Sequence, residues 1–116
     1  MSKTQIWHNP RCSKSRQTLE LLRANNIDPE IVLYKDTAPS EADIRAVLKA
    51  LGKAPIELIR RNDAGFKALG LASDADDEIL IKAMSAHPGI IERPVVRHMG
   101  KAALGRPPED VLELFK

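Results

Sequence analysis

Two strand-like runs bracket a helical run at the start of this chain, and that order limits the available folds more than any other feature of the sequence. Thr4-Gln5-Ile6-Trp7 is short, branched and aromatic, as strands are. His8-Asn9-Pro10-Arg11 reads as a turn, because proline fixes its own φ and pushes Asn9 out of the helical region. From Ser13 the pattern turns helical. Thr18, Leu19, Leu22 and Arg23 fall at helical spacing, and little breaks the run before Asn25-Asn26. Glu30 to Tyr34 is a second strand. The chain therefore opens β, α, β, with Cys12 at the mouth of the helix.

The middle of the chain is helical. Ser40 is placed to cap a helix with Asp43 at its third position, and Ile44, Val47, Leu48 and Leu51 follow as a core stripe that Gly52 ends. Pro55 opens a short helix expected to run through Ile59-Arg60. Phe66 to Leu71 is a helical turn ending at Gly70, and Ser73 or Asp74 caps a helix carrying Ile79, Leu80, Ala83 and Met84. Pro94-Val95-Val96 then reads as a strand, Gly100 as a turn and Ala102 to Leu104 as the hairpin partner. Pro107-Pro108 opens a last helix, with Glu109 and Asp110 in its first turn, where negative charge suits the dipole. The order βαβ–helical insertion–ββα predicts an α/β protein with a thioredoxin-like mixed sheet. The length predicts a single domain, 1–116, with the insertion at about 40–90.

Composition excludes several classes of function. A net charge of +2 gives little long-range attraction to nucleic acid or to an anionic membrane. No apolar run is long enough to span a bilayer, and the first residues lack the apolar core of a signal peptide, so a cytoplasmic protein is expected. Cys12 is the single cysteine and cannot form an internal disulfide. His8, His87 and His98 are scattered, so no metal site is expected. A low-molecular-weight phosphatase loop would need arginine six positions after the cysteine, where Thr18 stands.

The remaining chemistry centres on Cys12. A helix N-terminus presents unpaired N–H groups and partial positive charge, and His8, Arg11, Lys14 and Arg16 surround the thiol in sequence. Such a setting lowers a thiol pKa. Lowering it from about 8.5 to about 6.5 raises the thiolate fraction at pH 7 roughly 25-fold, but weaker basicity costs about 6- to 10-fold in nucleophilicity. Activation alone is therefore a small gain, and anion binding is the larger need. An oxyanion of about −1.5 charge held about 4 Å from a thiolate is repelled by roughly 6 kcal/mol at an effective dielectric of about 20. Arginine, with its planar fork of donors, is the suitable residue to offset that repulsion. Cys12-Ser13-Lys14-Ser15 has the spacing of a redox Cys-x-x-Cys, with serine in the second place. Any adduct at Cys12 therefore needs an external thiol for its resolution.

These residues carry a resemblance. The chain resembles the glutathione- and glutaredoxin-coupled arsenate reductases, whose fold is thioredoxin-like, and it is similar to their short-form members. The match runs through His8-Asn9-Pro10 with Cys12 and Ser15-Arg16, then Leu58-Ile59-Arg60 and His87-Pro88. It continues with Ile91-Glu92-Arg93-Pro94-Val95-Val96 and ends at Gly105-Arg106-Pro107-Pro108. Ser13-Lys14 replaces the smaller Gly-Thr pair of well-studied members. The resemblance implies that Cys12 attacks arsenate and forms a covalent adduct. It implies that Arg60, Arg93 and Arg106 bind the oxyanion, that His8 helps keep the cysteine ionised, and that Pro94 is a cis-proline before the third strand. Arg16 and Ser15 have supporting places. Glutathione would be the co-substrate, glutaredoxin would reduce the mixed disulfide, and no tightly bound cofactor is expected. Two other readings stay open. One is a monothiol oxidoreductase acting on glutathione mixed disulfides or another oxyanion. The other is a non-enzymatic regulator on the same fold, whose relatives often carry a second cysteine at the place of Ser15.

Overall fold

A computed structural model describes residues 4–72 and 74–116. The chain divides into two compact units. One runs to Tyr34 and resumes at Arg93–Lys116; the other is Lys35–Glu92.

The first unit holds the sheet. Strand β1 (Thr4–Trp7) leads through the Asn9-Pro10 turn into helix α1 (Ser13–Ala24), which returns to β2 (Glu30–Val32). Strands β3 (Val95–His98) and β4 (Lys101–Leu104) follow, and a 3-10 helix (Pro108–Phe115) closes the chain. The sheet order is β2-β1-β3-β4, with β1 and β2 parallel and the other two pairs antiparallel. This is the mixed sheet of a thioredoxin-like fold. Ile6 and Val96 are register partners and share one face, where Leu19 and Leu22 of α1 and Val111 and Leu114 of the last helix pack on them. Ile6, Leu22, Val96 and Val111 are fully buried. Each such side chain contributes about 1.5–3 kcal/mol by leaving water, and this packing fixes α1 against β1 and β3.

Second-unit elements are α2 (Glu41–Leu51), α3 (Ala64–Ala68) and α4 (Asp77–Ala86), with 3-10 helices at Pro55–Leu58 and Pro88–Ile90. Ser40 caps α2 by accepting from the Asp43 N–H at 3.0 Å, and Gly52 ends it in the left-handed region at φ 67°. The apolar stripe Ile44, Val47 and Leu48 is buried, as are Leu80, Ile81 and Met84 of α4, the helix that packs on α2. Arg45 makes a two-pronged ion pair with Glu78 across the same helix pair.

Several boundaries differ from the expectations: α3 is Ala64–Ala68 rather than Phe66 to Leu71, β3 is Val95–His98 rather than Pro94 to Val96, β4 opens at Lys101 rather than Ala102, and three more differ for visible reasons. Strand β2 stops at Val32 because its partner β1 stops at Trp7, where the Asn9-Pro10 turn begins. Tyr34 is buried beyond the strand. The helix opened by Pro55 ends at Leu58, since Ile59 extends to bridge Ile91 and Glu92 N–H donates to the Leu58 carbonyl at 2.7 Å. Helix α4 begins at Asp77, with Asp76 as its N-cap. Of the expected caps, Asp74 lies ahead of the helix and Ser73 lies outside the described residues.

Candidate functional site

The turn before α1 is built from its own side chains. Asn9 Oδ1 accepts from the Arg11 N–H at 3.0 Å, and the Asn9 carbonyl accepts from the Cys12 N–H at 3.0 Å. Asn9 thus folds the backbone around Pro10, as an Asx turn does. Cys12 is left extended as the N-cap, with φ −94° and ψ 123°, and its carbonyl starts the helix by accepting from Arg16 N–H at 3.0 Å. This places the sulfur over the first turn, where N–H groups have no helical partner.

Cys12 is only 8% exposed. Burial alone would push its thiol pKa up. The backbone N–H groups of Ser15 and Lys14, with the charge and a hydrogen bond of Arg93, outweigh burial and hold it below the ordinary thiol value. The sulfur makes no formed capping bond as a thiol, so these N–H groups act chiefly in favour of the charged form.

Three polar side chains close to Cys12 in sequence are buried: His8, Ser15 and Thr18. Ser15 Oγ accepts from the Asn9 N–H at 3.0 Å and is 2.6 Å from His8 Nδ1. Burial, then the charges of Arg23 and Arg16, hold the His8 pKa below its usual value. The His8 ring reaches the loop through Ser15. Arg16 turns back along the helix and donates from Nη1 to the Pro10 carbonyl at 2.8 Å.

Arg93 and Arg106 arrive from separate segments of the same unit. Each precedes a cis proline, at Arg93-Pro94 and at Arg106-Pro107. The Arg106 Nε–H donates to the Arg93 carbonyl at 2.8 Å, which ties the two loops together. Arg93 is half-buried and Arg106 exposed. The first unit therefore brings together Cys12, His8, Ser15, Arg16, Arg93, Pro94 and Arg106. Arg60 belongs to the second unit. There its Nη1 pairs with Asp63 Oδ2 at 2.8 Å, and its own N–H donates to the Ile90 carbonyl at 2.8 Å. Asp63 also caps α3 through Gly65 N–H at 2.8 Å.

Two contributors were not singled out from the sequence. Asn9 shapes the loop, and its signal was its place before proline in a turn. Asp63 holds Arg60, and its signal was the i+3 spacing. Among the described residues no group of three or more His, Cys, Asp or Glu side chains could hold a metal. Among the described residues no helix is long and apolar enough to cross a membrane.

The ArsC family profile matches residues 7–114. The uncharacterized protein YfgD of Escherichia coli strain K12 is 50% identical over 95% of this chain and 94% of its own length. An arsenate reductase of Neisseria meningitidis (serogroup A, strain Z2491) is 42% identical over 96% of this chain and 97% of its own. The solved structure of an arsenate reductase from Vibrio cholerae superposes with a TM-score of 0.91 at 42% identity, covering 96% of both chains. A matched profile across almost the whole sequence, with these relatives and this fold, places the chain in the ArsC family.

Proposed function

We propose that this protein is a cytoplasmic arsenate reductase that uses glutathione and glutaredoxin. The observation that carries the reading is Cys12 at the N-cap of α1, buried yet held toward thiolate by helix N–H groups and by Arg93. In the proposed sequence the Cys12 thiolate attacks As(V) and hydroxide leaves as water after taking a proton. Arg93 and Arg106 meet the oxyanion charge with planar donors. Arg60 has the same assignment from its motif. The glutathione sulfur then ends bonded to the Cys12 sulfur, and the As–S electron pair leaves on arsenic, which becomes As(III). Glutaredoxin thiolate attacks that mixed disulfide and returns Cys12 as thiolate. An external thiol is required because Ser15 stands where a resolving cysteine would be.

Arsenite production by the purified protein with glutathione and glutaredoxin tests the reading. Wild type is expected to be active and Cys12→Ser to fall to background. Unchanged activity in Cys12→Ser removes the thiol from the mechanism. Disulfide exchange without arsenite would favour the monothiol oxidoreductase, which the single cysteine also suits.

A further inference from the structure

Gly105 sits where β4 ends, one residue before Arg106, and is buried. Its φ is not in the left-handed region, so backbone conformation does not require glycine there. Space does. A Cβ at this position would clash with Thr18 Oγ1 and would lie 2.8 Å from Pro94 Cγ and 3.1 Å from Thr18 Cγ2. Neither neighbour is free to move aside. Thr18 is fully buried, six residues beyond Cys12 on α1, and its hydroxyl donates to the Lys14 carbonyl at 2.8 Å. Pro94 is a buried ring in the loop that carries Arg93. Two hydrogen bonds lock the approach: Gly105 N–H to the Pro94 carbonyl at 3.0 Å, and Arg106 Nε–H to the Arg93 carbonyl at 2.8 Å.

We propose that Gly105 is a positioning residue for the anion site: its missing side chain lets the Arg106 segment seat against Thr18 and Pro94, which sets where both arginines stand relative to α1 and Cys12. Thr18 is the other half of the contact. The proposal rests on the arsenate-reductase reading for its kinetic readout, but not for its chemical one. An added methyl must push Pro94, Thr18 or its own strand end away. Displacing Pro94 moves Arg93, whose charge and hydrogen bond favour the Cys12 thiolate.

The test is Gly105→Ala, with folding checked by circular dichroism. The pH profile of Cys12 alkylation by iodoacetamide needs no substrate and is expected to move to higher pH. The KM for arsenate is expected to rise about 10- to 100-fold, more than kcat changes, as misplacement of a charge clamp by about 1 Å produces. In a cycle with Arg106→Ala, the double variant should lose much less than the product of the two single losses, because one change acts partly through the other. If Gly105→Ala does not fold, Thr18→Val, which puts a methyl where the hydroxyl sits, carries the same test from the helix side. An unshifted alkylation profile in a folded variant overturns the proposal, and so do kinetic losses that simply multiply. Absence of arsenate reduction by wild type would sink the functional reading instead and leave the alkylation result to decide on Gly105.

Discussion

His8 shows how a residue's neighbours decide what it can do. Its ring is buried and bonded to Ser15, and burial with the charges of Arg23 and Arg16 disfavours its protonated form. A folded-state pKa below the unfolded value of 6.5 has a definite consequence for stability. Above pH 6.5 both states are neutral and His8 costs nothing. As the pH falls below 6.5 the unfolded chain takes up the proton first, so stability drops until the folded value is passed. The slope from one such group cannot exceed about 1.4 kcal/mol per pH unit. Urea unfolding at pH 7 and pH 5.5 should therefore show a loss that is clearly smaller in His8→Asn, whose amide can still bond to Ser15. An equal loss in both proteins would mean that the ring is protonated without penalty in the fold. Cys12 has the same sense of shift with a different group. Its thiolate is favoured in the fold, so it contributes stability that is full above the unfolded thiol pKa and lost as pH falls through the lowered one.

At the scale of elements, the sequence was most legible where chemistry and position coincide. Leu19 and Leu22 announce the buried side of α1, Ser40 the capped start of α2, and Gly100 the β3–β4 turn. It was least legible where a backbone carbonyl is the partner. Nothing in the letters Arg93 and Arg106 says that one carbonyl accepts from the other's guanidinium, because carbonyls carry no residue identity. Met99 is a similar case. The two-residue loop between β3 and β4 has positive φ at both centres, 48° at Met99 and 81° at Gly100, as a type I′ turn requires. Methionine is a poor residue for that conformation and gives no turn signal. Its side chain is 66% exposed, so it offers little packing in exchange. Met99→Asn should therefore stabilise the protein by about 0.5–1 kcal/mol, since asparagine adopts the left-handed region at less cost than methionine. A urea midpoint at or below that of wild type would show that the loop is held by something other than its own backbone preference.

For the whole molecule, the α/β class, the order of elements and a helical insertion at about 40–90 were open to sequence reading, but the exact places where the units divide, Tyr34/Lys35 and Glu92/Arg93, were not. Periodicity reports which face of an element is apolar; it does not report which elements share a core. Charge behaves in the opposite way. Totals are legible at once, 18 basic against 16 acidic side chains, and they say that the molecule has almost no net field. Attraction for an anion must then be local, and screening should affect it less than it affects a long-range field, because the Debye length at 0.1 M salt is already about 10 Å. Trp7 can report it. It is the sole tryptophan, is 3% exposed, directly precedes His8, and has the Arg97 guanidinium 6.0 Å from its ring centroid. Sulfate or arsenate should change its fluorescence saturably, while sodium chloride at equal ionic strength should not. Arg93→Ala should weaken that binding about 10- to 100-fold, the loss expected for a charged hydrogen-bond donor of about 1.5–3 kcal/mol. A linear response that chloride reproduces would mean that only bulk screening is being read. In that case Cys12 would be a thiol activated by its helix terminus with no anion site beside it, and the arithmetic that makes activation alone worth only a few-fold would leave the protein a poor arsenate reductase.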